Sequence, residues 1–144
     1  MGFGLPAAIG AALGSPGRTV VCLTGDGSIL MNIQELATLA ELDLPVKVCV
    51  FDNGVLGMVR QQQELFYGDR RSACEFARTP DLAAVASGFG IESHRIEDWR
   101  EGGWEHLLRS EGPSFLVFAM EAGSVWPMVP PGERNSRMLM PKAA

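Results

Sequence analysis

Two runs of consecutive apolar and β-branched residues, 19–23 (TVVCL) and 46–51 (VKVCVF), constrain this chain more than anything else in it. Apart from Lys47 they carry no polar alternation, so each reads as a strand buried on both faces, the pattern of a parallel sheet covered by helices. Between them Ile33, Leu36, Ala37, Leu39 and Ala40 recur at helical spacing within 32–42, and Pro45 keeps that helix from running on. Strand, helix and strand with short joints make a βαβ unit. Its strands are parallel, and its crossover is right-handed in nearly every known case.

The remaining segments extend the same alternation. Residues 6–13 (PAAIGAAL) predict a short, tightly packed helix with Pro6 at its first position and Gly14 as its stop. Residues 56–66 read as a helix and 68–79 as an exposed loop. Thr79 and Pro80 then open a helix over 82–87, as N-cap and first residue. A third strand is expected over 91–96, a helix interrupted by Gly102-Gly103 over 99–109, and a last strand over 114–120. The fold class is therefore α/β, a mainly parallel sheet flanked by helices, occupying residues 1–124. Residues 125–144 carry Pro127, Pro130, Pro131 and Pro141 and are expected to form an irregular tail without helix or strand.

Charge and composition remove several classes of partner. Among 144 residues, 12 Lys and Arg face 17 Asp and Glu, a net charge of -5, and Arg70-Arg71 is the longest cationic cluster, so no nucleic-acid partner is expected. No apolar stretch reaches the ~18 residues a membrane helix needs, and no membrane partner is expected. The first sixteen residues lack a basic leader, and Pro6 stands where a myristoylation signal wants Ser or Thr. Cys22, Cys49 and Cys74 form no CxxC pair and fit buried thiols in a reducing compartment, hence a cytoplasmic location. His94 and His106 match no motif and read as structural or exposed.

Ligands of a parallel sheet bind beyond the carboxyl ends of its strands, which here carry Gly25-Asp26-Gly27-Ser28 and Asp52-Asn53-Gly54. Asp26 and Asn53 are twenty-seven positions apart, spent on one helix out and one strand back, so their oxygens can converge. One carboxylate and one carboxamide oxygen suit a hard cation such as Mg²⁺ that takes most of its other ligands from a phosphate. The glycines let backbone N–H groups approach phosphate oxygens, and Ser28 adds a hydroxyl at a helix start. Taken singly, each loop is an ordinary turn. Gly2-Phe3-Gly4-Leu5-Pro6-Ala7 superficially matches a dinucleotide fingerprint, but no strand precedes it and Pro6 occupies the turn.

Gly25-Asp26-Gly27-Ser28 followed by Asp52-Asn53 resembles the GDG…NN signature of thiamine diphosphate enzymes, with Asp52 where the signature has its first Asn. The runs MGFGLPAAIGAALG, MNIQELATLAELDLPVKV, LGMVRQQQELFY and WPMVPPG are similar to the carboxyl-terminal domain of acetolactate synthase (acetohydroxyacid synthase) large subunits. That resemblance implies Mg²⁺ held by Asp26, the Asn53 side chain and the Val55 carbonyl. It places the diphosphate against Gly25, Gly27, Ser28, Asn53, Gly57 and Met58. Met1 falls at the apolar wedge that bends the cofactor, which makes it an internal residue of a longer protein; its rival role is that of an initiator, and the rival for Met58 is ordinary helix core.

Gln62 stands where many members have the Trp of the second-substrate pocket, and this Gln-rich version resembles the enterobacterial isozyme I type. A solvated helix face is the alternative reading of Gln61-Gln62-Gln63. Trp126 either belongs to a tail over the active site or anchors a Pro-rich loop. The implied activity is decarboxylation of pyruvate and its condensation with a second 2-oxoacid, in branched-chain amino acid biosynthesis. No catalytic residue is expected in this chain, because the activating glutamate belongs to a pyrimidine-binding domain. That domain, an FAD-binding domain, a homodimer or tetramer, and a regulatory small subunit complete the implied partners, and the isolated chain is expected to be inactive. Another thiamine diphosphate-dependent decarboxylase or carboligase, and a non-catalytic remnant or interaction module, stay open as alternatives.

Overall fold

The computed structural model describes residues 1–141 and divides the chain into two compact units. The first comprises Met1–Gly54 and Arg78–Glu121; the second comprises Val55–Ala77 and the chain from Ala122 onward.

In the first unit four strands, β1 (Val20–Gly25), β2 (Val46–Asp52), β3 (Glu92–Ile96) and β4 (Ser114–Ala119), form an all-parallel sheet in the order β1-β2-β4-β3. Around it lie α1 (Gly4–Gly14), α2 (Asp26–Ile29), α3 (Glu35–Glu41) and α5 (Leu82–Gly88). The parallel βαβ arrangement expected from the two apolar runs is present, with Val20 paired to Val46 and Gly25 to Phe51. One face of the sheet packs Val48, Val50, Phe115 and Val117 against Leu5, Ile9, Leu36, Leu39, Leu82 and Ala86. Leu36, Leu39, Val48 and Val50 are fully buried, and burial of each such side chain contributes roughly 1.5–3 kcal/mol. The opposite face packs Cys49, Leu116 and Phe118 on Trp104 and Leu107.

Several local expectations are corrected. β1 is an edge strand rather than one buried on both faces: Val21 and Leu23 are 50% and 66% exposed, because only one side of the strand faces the helices among the described residues. Pro6 lies inside the first turn of α1, which already starts at Gly4. The cap of α5 is Asp81, whose carboxylate accepts from the Ala84 N–H (3.0 Å), and not Thr79 with Pro80 as first residue. Residues 32–34 precede α3 as a turn. No α-helix forms over 99–109; two 3₁₀ turns, Trp99–Glu101 and Glu105–Leu108, flank Gly102 and Gly103, whose φ values of 68° and 85° no α-helix accommodates. His94 and His106 are exposed, and all three cysteines are free and buried.

The second unit contains α4 (Gly57–Phe66) and the last stretch of chain. The tail is less irregular than its prolines imply, carrying a 3₁₀ turn at Asn135–Arg137 and a bridge between Met128 and Leu139. The peptide Trp126-Pro127 is cis. No helix among the described residues is long and apolar enough to cross a membrane.

Candidate functional site

Parallel pairing brings the carboxyl ends of β1 and β2 side by side, so Asp26 and Asp52 emerge at the same edge. Asp26 opens the four-residue α2 and is 2% exposed. Its Oδ1 accepts from the Gly27 N–H (2.6 Å) and its Oδ2 from the Gly54 N–H (2.7 Å), which ties the β2 loop to the β1 loop. Gly54 has φ 69°, a left-handed turn that most side chains resist, and this turn aims its N–H. The second loop is also anchored through the Asp52 carbonyl, which accepts from the Met120 N–H (2.9 Å).

Burial pushes the Asp26 carboxyl above the usual aspartate range, against the pull of the Gly27 and Gly54 N–H groups, and the adjacent Asp52 carboxyl adds to the rise. A cation bound beside such a carboxylate would favour its charged form. Asp52 is itself held by Arg95 on β3, with Nη1 to Oδ2 at 2.7 Å, and this bond is the largest cause that keeps the Arg95 guanidinium more firmly protonated than usual. Sequence reasoning missed Arg95, since forty-three positions separate it from Asp52 and no local pattern joins them.

A third segment meets the first loop. The Gly2 N–H donates to Ser28 Oγ (3.0 Å), and Asn32 Nδ2 donates to the Gly2 carbonyl. Gly2 has φ 79°, and a Cβ there would lie 2.8 Å from Asn32 Nδ2. The α2 start is thus fixed by Gly2 and Asn32. Four residues make too short a helix for a sizeable macrodipole, and the Gly27 N–H is already taken by Asp26, so the Ser28 hydroxyl is the group left here to meet an anion. Met1 is 70% exposed.

Val55, Gly57, Met58 and Gln62 belong to the second unit. There Val55 bridges to Glu75, the Leu56 N–H donates to the Cys74 carbonyl (2.7 Å), Gly57 starts α4, and Met58 is 49% exposed rather than helix core. The solvated-face reading of the glutamine run is overturned. Gln61 is buried, its Nε2 donating to the Val125 carbonyl (2.9 Å) and its Oε1 accepting from the Val125 N–H (3.0 Å). Gln63 accepts from the Ser72 N–H (2.9 Å) and donates to the Ser72 carbonyl (3.0 Å). Only Gln62, half-buried between them, is left for a pocket role.

A parallel sheet with glycine-flanked acid and amide loops at its carboxyl edge is the architecture of an α/β ligand-binding domain. Residues 1–118 match the family described as thiamine pyrophosphate enzyme, C-terminal TPP binding domain, and the chain belongs to that family. It is 48% identical over 142 residues to the acetolactate synthase isozyme 2 large subunit of Escherichia coli (strain K12), covering 96% of this chain and 26% of that protein. To the isozyme 1 large subunit of the same organism it is 42% identical over 142 residues, covering 96% and 25%. To the probable acetolactate synthase large subunit of Methanococcus aeolicus it is 43% identical over 141 residues, covering 96% and 24%. The chain therefore spans about a quarter of the length of these curated relatives. Among solved structures it resembles benzoylformate decarboxylase from Polynucleobacter necessarius, with a TM-score of 0.78, 28% identity, and coverage of 86% of this chain and 24% of that one.

Proposed function

We propose that this chain is the cofactor-binding domain of an acetolactate synthase large subunit, holding thiamine diphosphate through Mg²⁺ at the carboxyl edge of β1 and β2. The observation that carries the reading is Asp26, a carboxylate 2% exposed and tied by backbone N–H donors to both loops. A carboxylate offers about four lone-pair positions, more than the Gly27 and Gly54 N–H groups occupy. With Asn53 contributing its carboxamide, the donor set is hard and low in charge, which fits a cation that completes its shell with diphosphate oxygens. Gly25 and Gly27 keep the diphosphate side free of side-chain bulk, and Ser28 adds a hydroxyl there. The roles of Met1 as wedge, Val55 as metal ligand, Gly57 and Met58 at the diphosphate, and Gln62 in the second-substrate pocket rest on the family resemblance alone.

When bound, thiamine diphosphate supplies the decarboxylation and carbon-transfer chemistry. This chain's residues bind and orient; the activating glutamate, FAD, a partner subunit in a dimer or tetramer and a regulatory small subunit belong to the rest of the protein. The chain alone is therefore inactive, and the whole protein works in the cytoplasm. Relatives 42–48% identical over 96% of the chain, two named acetolactate synthase large subunits and one probable acetolactate synthase large subunit, support this substrate class. The test is product analysis on the complete natural polypeptide that contains this chain, given pyruvate, Mg²⁺ and thiamine diphosphate. Acetolactate is the expected product; release of free aldehyde without condensation would overturn the synthase assignment and favour a simple decarboxylase.

A further inference from the structure

The signature loop of β2 carries two candidate ligands in succession, Asp52 and Asn53, and an acid is ordinarily the better donor to a hard cation. The Asp52 side chain is 8% exposed, and its carboxyl emerges at the same sheet edge as that of Asp26, whose pKa it helps to raise. What restrains it comes from two strands away. In the order β1-β2-β4-β3, Arg95 pairs with Val117 of β4 and Asp52 with Ala119 of the same strand, two residues on and hence on the same face. Arg95 reaches over β4 to place Nη1 2.7 Å from Asp52 Oδ2, while its Nε donates to Glu97 Oε1 (2.8 Å), so the guanidinium is itself braced.

We propose that Arg95 is a positioning residue that clamps the Asp52 carboxylate out of the cation's coordination shell, leaving Asp26 and Asn53 to present it to the diphosphate. This rests on the site reading above. The clamp makes an acid tolerable at a position where the family signature has a neutral amide. An unclamped Asp52 would give the metal a second protein carboxylate, tightening Mg²⁺ held without cofactor and opposing the anionic diphosphate.

Calorimetric titration of the complete natural polypeptide, with Mg²⁺ alone and with thiamine diphosphate at saturating Mg²⁺, tests this in wild type, Arg95→Ala, Arg95→Lys, Asp52→Asn and Arg95→Ala/Asp52→Asn. Arg95→Ala is expected to bind Mg²⁺ alone more tightly and thiamine diphosphate about ten- to a hundredfold more weakly, the range typical for loss of a residue that orients a metal ligand. Asp52→Asn and the double variant should return both affinities to wild type, and Arg95→Lys, which keeps the charge, should fall between. The double variant has no orphaned buried acid, so it reports even where Arg95→Ala folds poorly. Equal loss of cofactor affinity in Arg95→Ala and the double variant, or no loss in either, would overturn the clamp while wild type still binds. Absence of Mg²⁺-dependent cofactor binding in wild type would overturn the site reading and the clamp together.

Discussion

The backbone N–H of Gly54 reaches Oδ2 of Asp26 across 2.7 Å, closing the gap between two strand ends that the sequence separates by two helices and a strand. Because Gly27 occupies the other carboxylate oxygen, Asp26 is aimed by the backbone of both loops. Aim of this kind costs little on binding, since the donors and the acid are in place before a ligand arrives.

Gly2→Ala is expected to destabilise the first unit by about 1–3 kcal/mol, through left-handed strain and a Cβ forced against Asn32. A lowered urea midpoint checks it. Because the Gly2 N–H also holds Ser28 Oγ, hydrogen exchange of the α2 amides should quicken in the same variant.

Lys47 gives a pH signature. It is fully buried on β2 and donates to the Ser110 carbonyl (2.8 Å), Ser110 Oγ (2.9 Å) and the Gly112 carbonyl (2.7 Å). Burial pulls its pKa below 10.5, with the Glu92 charge opposing. The folded state thus gives up this proton at a pH where the unfolded chain keeps it, and stability rises with pH from the folded pKa up to 10.5. Cys22 and Cys49 act oppositely: burial raises both thiols above 9.0, so the folded state keeps protons that the unfolded chain loses as pH rises past 9.0. Lys47→Met isolates the lysine. The urea midpoint of wild type minus that of the variant should grow between neutral pH and 10.5. At neutral pH the variant should already lose about 1–3 kcal/mol from acceptors left without a donor.

In the second unit, Gln61→Ala removes both bonds to Val125. Each is worth about 0.5–1.5 kcal/mol. Faster limited proteolysis around Val125 is the expected outcome, with Gln62→Ala unchanged as the control.

The parts legible in sequence were those set by local, periodic causes. The run 46–51 needs only its own residues to become a buried strand, and it forms β2 over Val46–Asp52. That the Asp26 loop and the loop after β2 meet at one edge was legible because strand-end loops share an edge in any parallel βαβ unit. Caps and glycine breaks were read less well: Asp81 wins over Thr79 because its extended backbone, ψ 96°, turns the carboxylate onto the Ala84 N–H. Arg95, Asn32 and Gln61 were invisible because each acts on a residue 30 to 64 positions away. Such contacts exist only once the fold has formed.

The most direct measurement is calorimetric titration of thiamine diphosphate into the complete natural polypeptide, with and without Mg²⁺, in wild type and Asp26→Ala. We predict Mg²⁺-dependent binding in wild type and a loss of about ten- to a hundredfold in the variant, the equivalent of one charge-assisted contact. Equal affinity in the two proteins, or binding indifferent to Mg²⁺, would contradict a cation held at Asp26.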